Sequence, residues 1–154
     1  MATDTDAIEP AKLFLERSGW TNISQINHPV DFTATLDDVD YFVELKYTTS
    51  HDKAFGNVTM TEWICAMDNP ENFRFLIANK PGGVNSNSEW NFFFIAPTDL
   101  LDFSHVSPFK VNFSLPLAEP RTPPNRRPTT IVPTFGVLRE IQNFYETLRP
   151  DEKE

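Results

Sequence analysis

Glu44, Leu45 and Lys46 sit inside Tyr41–Thr48 (YFVELKYT), a run otherwise made of apolar, aromatic and Thr residues. In an extended strand Phe42, Glu44, Lys46 and Thr48 share one face, and Tyr41, Val43, Leu45 and Tyr47 the other. A strand apolar enough to be buried carries a carboxylate and an ammonium only where each charge has a partner or a metal ion. Upstream, Asp31 stands between Val30 and Phe32 in a second extended run, Val30–Leu36, and the acidic turn Asp37-Asp38-Val39-Asp40 joins the two runs. Folding the pair about that turn brings Asp31 close to Glu44, so two carboxylates and a lysine meet at one cleft. Two convergent carboxylates suit Mg²⁺ or Mn²⁺, hard ions that prefer oxygen ligands. Such an ion lowers the pKa of a bound water and neutralises charge building on a phosphoryl oxygen. A neighbouring lysine orients that water or meets the transition state as a point charge.

Several elements must hold these residues. Asp4 or Thr5 is expected to cap a first helix that takes Pro10 in its first turn and stops at Ser18-Gly19. Its apolar residues Ile8, Ala11, Phe14 and Leu15 follow helical spacing. Trp20–Ile26 reads as a strand, Thr59–Met67 as a helix stopped by Asp68-Asn69-Pro70, and Phe73–Ala78 and Trp90–Ala96 as two strands joined through Lys80–Glu89. This order predicts an α/β or α+β fold, with helices packed on a mixed sheet. Seven of the thirteen prolines fall between Pro108 and Pro133, a stretch expected to hold no central strand. A last amphipathic helix is expected over Gly136–Leu148. The chain thus divides into a core, residues 1–105, and a Pro-rich basic extension, residues 106–154, whose helix packs back on the core.

With twelve residues between the acids of Pro29-Val30-Asp31 and Glu44-Leu45-Lys46, the sequence resembles the PD-(D/E)xK nuclease superfamily. The spacing is similar to that of archaeal Holliday-junction resolvases and restriction-endonuclease-like domains. Glu9, ten residues before Gly19-Trp20, corresponds to the glutamate those families carry on their first helix. Val58-Thr59-Met60-Thr61-Glu62-Trp63 is similar to the T-x-x-E-W helix of a nuclease-like domain found in NO VEIN-type plant proteins and restriction systems. The resemblance covers roughly residues 7–96 and implies a restriction-endonuclease-like mixed sheet flanked by helices. It further implies a metal-dependent endonuclease. Asp31 and Glu44, with the Leu45 carbonyl, would hold Mg²⁺ (or Mn²⁺), Lys46 would position the attacking water, and Glu9 would assist. DNA is the expected substrate, a 5′-phosphate the expected product, and a homodimer fits a site that cuts one strand.

An acid-x-Lys triplet is common by itself, and Asp151-Glu152-Lys153 repeats it in the tail. The competing reading is a non-catalytic module of the same fold that binds nucleic acid or protein. Among other candidates, Glu62 could position a ligand, and Glu16 competes with Glu9 for the first-helix role. His28, Thr48 and Lys53 lie near enough to the motif to touch a phosphate backbone. Arg121, Arg126 and Arg127, set among prolines that keep the segment extended, could track one. Cys65, on an apolar helix, reads as core.

The chain has 154 residues, 40% hydrophobic and 23% charged, which suits one globular domain. A single cysteine excludes a disulfide framework and a multi-cysteine zinc site. No apolar run approaches the roughly 20 residues of a membrane span, and the acidic N-terminus does not read as a signal peptide. A cytoplasmic location is expected, with a nuclear one also open. The three N-x-S/T matches at Asn22, Asn57 and Asn112 are then chance. The net charge of −9 argues against general coating of nucleic acid by a basic surface. The charge is uneven, with −10 over residues 1–105 and +3 over residues 106–149.

Overall fold

A computed structural model describes residues 4–107 and 110–123. Arg126, Arg127 and the expected helix at 136–148 lie outside the described residues.

A 3-10 turn, Asp4–Ala7, leads into α1 (Ile8–Arg17), and Ala7, not Asp4 or Thr5, occupies its N-cap position without a side-chain cap. The helix ends as the sequence predicts. Gly19 takes φ +90°, the Trp20 N–H reaches the Leu15 carbonyl, and the Gly19 N–H reaches that of Glu16. This is the Schellman pattern, which needs a left-handed residue after the cap.

Strands β1 (Thr21–Gln25), β2 (Phe32–Leu36) and β3 (Val39–Thr48) form an antiparallel meander. The β2–β3 turn is tighter than expected. Leu36 pairs with Val39, and Asp37 and Asp38 alone make the reversal at φ +51° and +65°. Two positive φ values match the strand twist in a two-residue hairpin, and Asp tolerates them better than most residues. The chain then leaves the sheet through β4 (Lys53–Thr59) and α2 (Met60–Asp68). It returns as β5 (Phe73–Asn79), parallel to β3, and closes with antiparallel β6 (Asn91–Ile95). The resulting sheet has the order β1-β2-β3-β5-β6.

Alternation places the two cores. Val43, Leu45, Leu76 and Ala78 face α1 with Ala11, Leu15, Trp20 and Phe32. Phe73, Phe75, Ile77 and Ile95 face the other way, onto Trp63 and Ala66 of α2. Helices therefore cover both faces of a mixed sheet, the α+β arrangement expected from the sequence.

The boundary expected at residue 105 falls inside the fold. After the short α3 (Pro97–Leu101), β8 (Lys110–Pro116) pairs with both β4 and β7 (Ser104–Ser107) in a second sheet, order β4-β8-β7. Here β8 is the central strand, against the expectation drawn from proline content. Pro116 stands at its very end, opposite Lys53, and Val111, Phe113 and Leu115 bury in the α2-side core. Proline is tolerated at strand ends and excluded from their interior. Gly56 lets this sheet close up, since a Cβ there would stand 2.9 Å from the Phe113 ring.

Candidate active site

The β2–β3 ladder ends at Phe32↔Val43, and β3 runs on for five residues. That parting leaves backbone donors on the β2-side edge of β3, and buried donors must be satisfied. Two aspartates satisfy them. Asp31 Oδ2 accepts from the Leu45 N–H at 2.9 Å, and Asp4 Oδ1 accepts from the Tyr47 N–H at 2.9 Å. The N–H and C=O of one strand residue point to the same edge, so the Leu45 carbonyl opens onto the same gap as Asp31.

Glu44 and Lys46 project from the face turned toward α2. Glu44 is only 4% exposed. Lys46 Nζ lies 3.0 Å from Glu44 Oε2 and 3.1 Å from Glu62 Oε1. Glu62 reaches it because α2 begins there. Thr59 Oγ1 accepts from the Glu62 N–H, and Glu62 Oε1 accepts from the Thr59 N–H at 2.9 Å, a capping box. One carboxylate oxygen thus closes the helix start and holds the lysine.

Burial dominates the electrostatics of Glu44. Desolvation pushes its carboxyl up to about 9, against the pull of Lys46, while Glu62 and Asp31 add to the rise. Burial also raises Asp31, opposed by the Leu45 N–H. For Lys46, burial acts downward, but Glu44 and Glu62 outweigh it and leave the ammonium raised. Lys46 therefore stays charged, whereas Glu44 holds a proton at neutral pH unless a further cation arrives.

That need for positive charge is the test of fit for a metal ion. Asp31, Glu44 and the Leu45 carbonyl make an oxygen-only donor set, which suits an ion that keeps several waters, such as Mg²⁺ or Mn²⁺. It is not a closed protein cage, and no group of three or more His, Cys, Asp or Glu side chains among the described residues is arranged to hold an ion.

The structure brings Asp31, Leu45, Glu44 and Lys46 together, along with Glu62, which the sequence marked only as a possible positioning acid. It does not bring Glu9, whose carboxylate is 79% exposed and paired with Lys12 at 3.5 Å. Glu16 is exposed on the same helix. The acid that approaches from the N-terminal element is Asp4, which interacts electrostatically with Lys46 and Glu62. Sequence reading placed Asp4 at a helix cap, because nothing local records that the Tyr47 N–H has no acceptor from β2. Thr48 is buried and its hydroxyl accepts from the Ser50 N–H, so it serves the strand end. His28 and Lys53 are exposed.

Arg121 departs from its expected role on phosphate. Its guanidinium donates to the Pro116 and Leu117 carbonyls at 2.6 and 3.2 Å, pairs with Glu119 and lies 4.1 Å from the centre of the Phe93 ring. These contacts tie the chain after β8 to the five-stranded sheet.

No family model and no curated protein matches the chain. Among solved structures it is similar to a Holliday junction resolvase, Hjc, from the archaeal hyperthermophile Archaeoglobus fulgidus. The TM-score is 0.42 and the identity 12%, over 68% of this chain and 85% of that one. A likeness this loose has no bearing on function, which must be read from the site itself. No helix among the described residues is long and apolar enough to cross a membrane.

Proposed function

We propose that the chain is a metal-dependent endonuclease that hydrolyses phosphodiester bonds in DNA. The observation that carries this reading is the Glu44–Lys46 pair, buried at 3.0 Å beside Asp31 at the point where β2 leaves β3. A purely structural ion pair needs one carboxylate per ammonium. Here Lys46 faces two, and Asp31 adds a third acid close enough to raise Glu44. This surplus of negative charge would be matched by a divalent cation held by Asp31, Glu44 and the Leu45 carbonyl.

When bound, that ion would acidify a water and neutralise charge on the scissile phosphate. Lys46 does the rest of the positioning. An ammonium has three donors; Glu44 and Glu62 take two, and the third is available to orient the attacking water or the phosphoryl oxygen. Fixed between two carboxylates, Lys46 meets developing charge without reorganising. Glu62 keeps it aimed, being itself fixed by the start of α2.

The test is nicking of supercoiled plasmid. Wild-type protein should nick with Mg²⁺ or Mn²⁺ and stop on chelation, and Asp31→Asn and Glu44→Gln should both be inactive. Those two variants should also lose the rise in Tm that either ion gives the wild type. No nicking, and no metal-dependent rise in Tm, would favour the non-catalytic module.

A further inference from the structure

The outer face of the β4-β8-β7 sheet takes no part in the site above, yet it is built unlike an idle surface. Phe55 projects from it 63% exposed, the most exposed of the large hydrophobic residues described. It overlooks a groove of about 650 Å³ whose lining includes Lys53, Asp102, Phe103, His105, Asn112 and Ser114. Cross-strand register sets the order of these groups. Phe55 stands opposite Ser114, and Asn112 stands opposite His105, with Nδ2 and Nε2 3.5 Å apart. An antiparallel sheet thus carries one bare aromatic ring, a row of amide, imidazole and hydroxyl groups, and an exposed lysine at one end. Those are the components by which proteins hold unpaired nucleotides: a ring for the base to stack on, donors and acceptors for its edge, and a cation for the phosphate. The volume is that of a small-ligand site and admits a nucleotide.

We propose that this groove binds single-stranded nucleic acid, with a base stacked on Phe55 and its phosphate on Lys53. The polar rim favours this occupant over an apolar partner, because a lysine, a carboxylate, an imidazole and an amide around the ring would be stranded against a hydrophobic surface, and Lys53 supplies the complementary charge for one phosphate. The location suits it as well. β4 runs from this groove into Thr59, whose capping box ends at the carboxylate that holds Lys46. The proposal rests on the nuclease reading for its purpose, and not for its test.

Binding is measured without divalent metal, by fluorescence anisotropy of a labelled oligothymidine and of a duplex of equal length. Phe55→Ala should weaken oligothymidine binding by roughly tenfold or more, the loss expected when one stacking ring is removed. It should leave duplex binding unchanged, Phe55→Trp should restore affinity, and Lys53→Ala should flatten the salt dependence. Equal oligothymidine affinity for wild type and Phe55→Ala would overturn the proposal, as would an equal loss on duplex. A marked fall in the Tm of Phe55→Ala, unrepaired in Phe55→Trp, would also overturn it by assigning the groove to another part of this chain or to a second copy. Nicking of plasmid by the wild type is scored separately, so failure of the groove and failure of the active site give different results.

Discussion

Glu44 is the residue on which chemistry and stability conflict. A carboxyl buried beside two other acids holds its proton to about 9, well above its ordinary value near 4.5. Between those values the folded chain keeps a proton that the unfolded chain has lost, so folding weakens as pH rises through that window. Asp31, also raised, pushes in the same direction at lower pH. Metal-free protein should therefore melt at a lower temperature at pH 8.5 than at pH 5.5, and Glu44→Gln should flatten much of that slope. A gain of even about 1 kcal/mol moves Tm by roughly 2–4 °C in a chain of this size, so differential scanning fluorimetry resolves it. A wild-type melting curve as stable at pH 8.5 as at pH 5.5 would mean that Glu44 is ionised throughout. The sequence showed Glu44 and Lys46 on one strand face and Asp31 near them, because alternation is a local signal. It could not show Asp4, whose role exists only because β2 parts from β3 and leaves the Tyr47 N–H to be satisfied.

At the scale of elements, the start of α2 is the part most tightly coupled to the site. Thr59→Ala removes half of the capping box and should cost about 1 kcal/mol, the usual worth of an N-cap hydroxyl. The same change frees the Glu62 backbone, so the carboxylate that holds Lys46 loses its fixed origin. Nicking should fall in Thr59→Ala by more than in Thr59→Ser, which keeps the hydroxyl, while both remain folded. Comparable rates in the two variants would separate the helix start from the site. This helix was legible, since T-x-x-E before an apolar run is a capping signal that needs no tertiary information. The β2–β3 hairpin was legible for a similar reason, although Val39 and Asp40 proved to be strand and not turn. Strand β4 was not legible: KAFGNVT is interrupted by Gly56, and only its place against Phe113 explains that glycine.

The molecule as a whole is two sheets held by α2, and the second sheet is as much core as the first. Proline counting put a boundary at residue 105, whereas Val111, Phe113 and Leu115 of β8 lie in the same buried cluster as Trp63 and Phe75. Composition averaged over a segment hid a seven-residue strand whose one proline is its last residue. Leu115→Ala should cost about 2–5 kcal/mol, as for other fully buried leucines, read as a lower urea midpoint. A protein ended at residue 105 should lose cooperative unfolding, because β4 would lose β8, the strand it pairs with. A cooperative melt of that fragment would restore the boundary. The proposed activity converges on Lys46, and one variant tests it. In Lys46→Ala both Asp31 and Glu44 remain, and Glu44 keeps its proton, so the loss of stability should stay below the roughly 3–5 kcal/mol of a buried pair stripped of one partner. The plasmid-nicking rate of that folded variant should drop about 10²–10³-fold or more, the loss expected for one preorganised electrostatic contact. A folded Lys46→Ala protein that nicks at the wild-type rate would contradict the account.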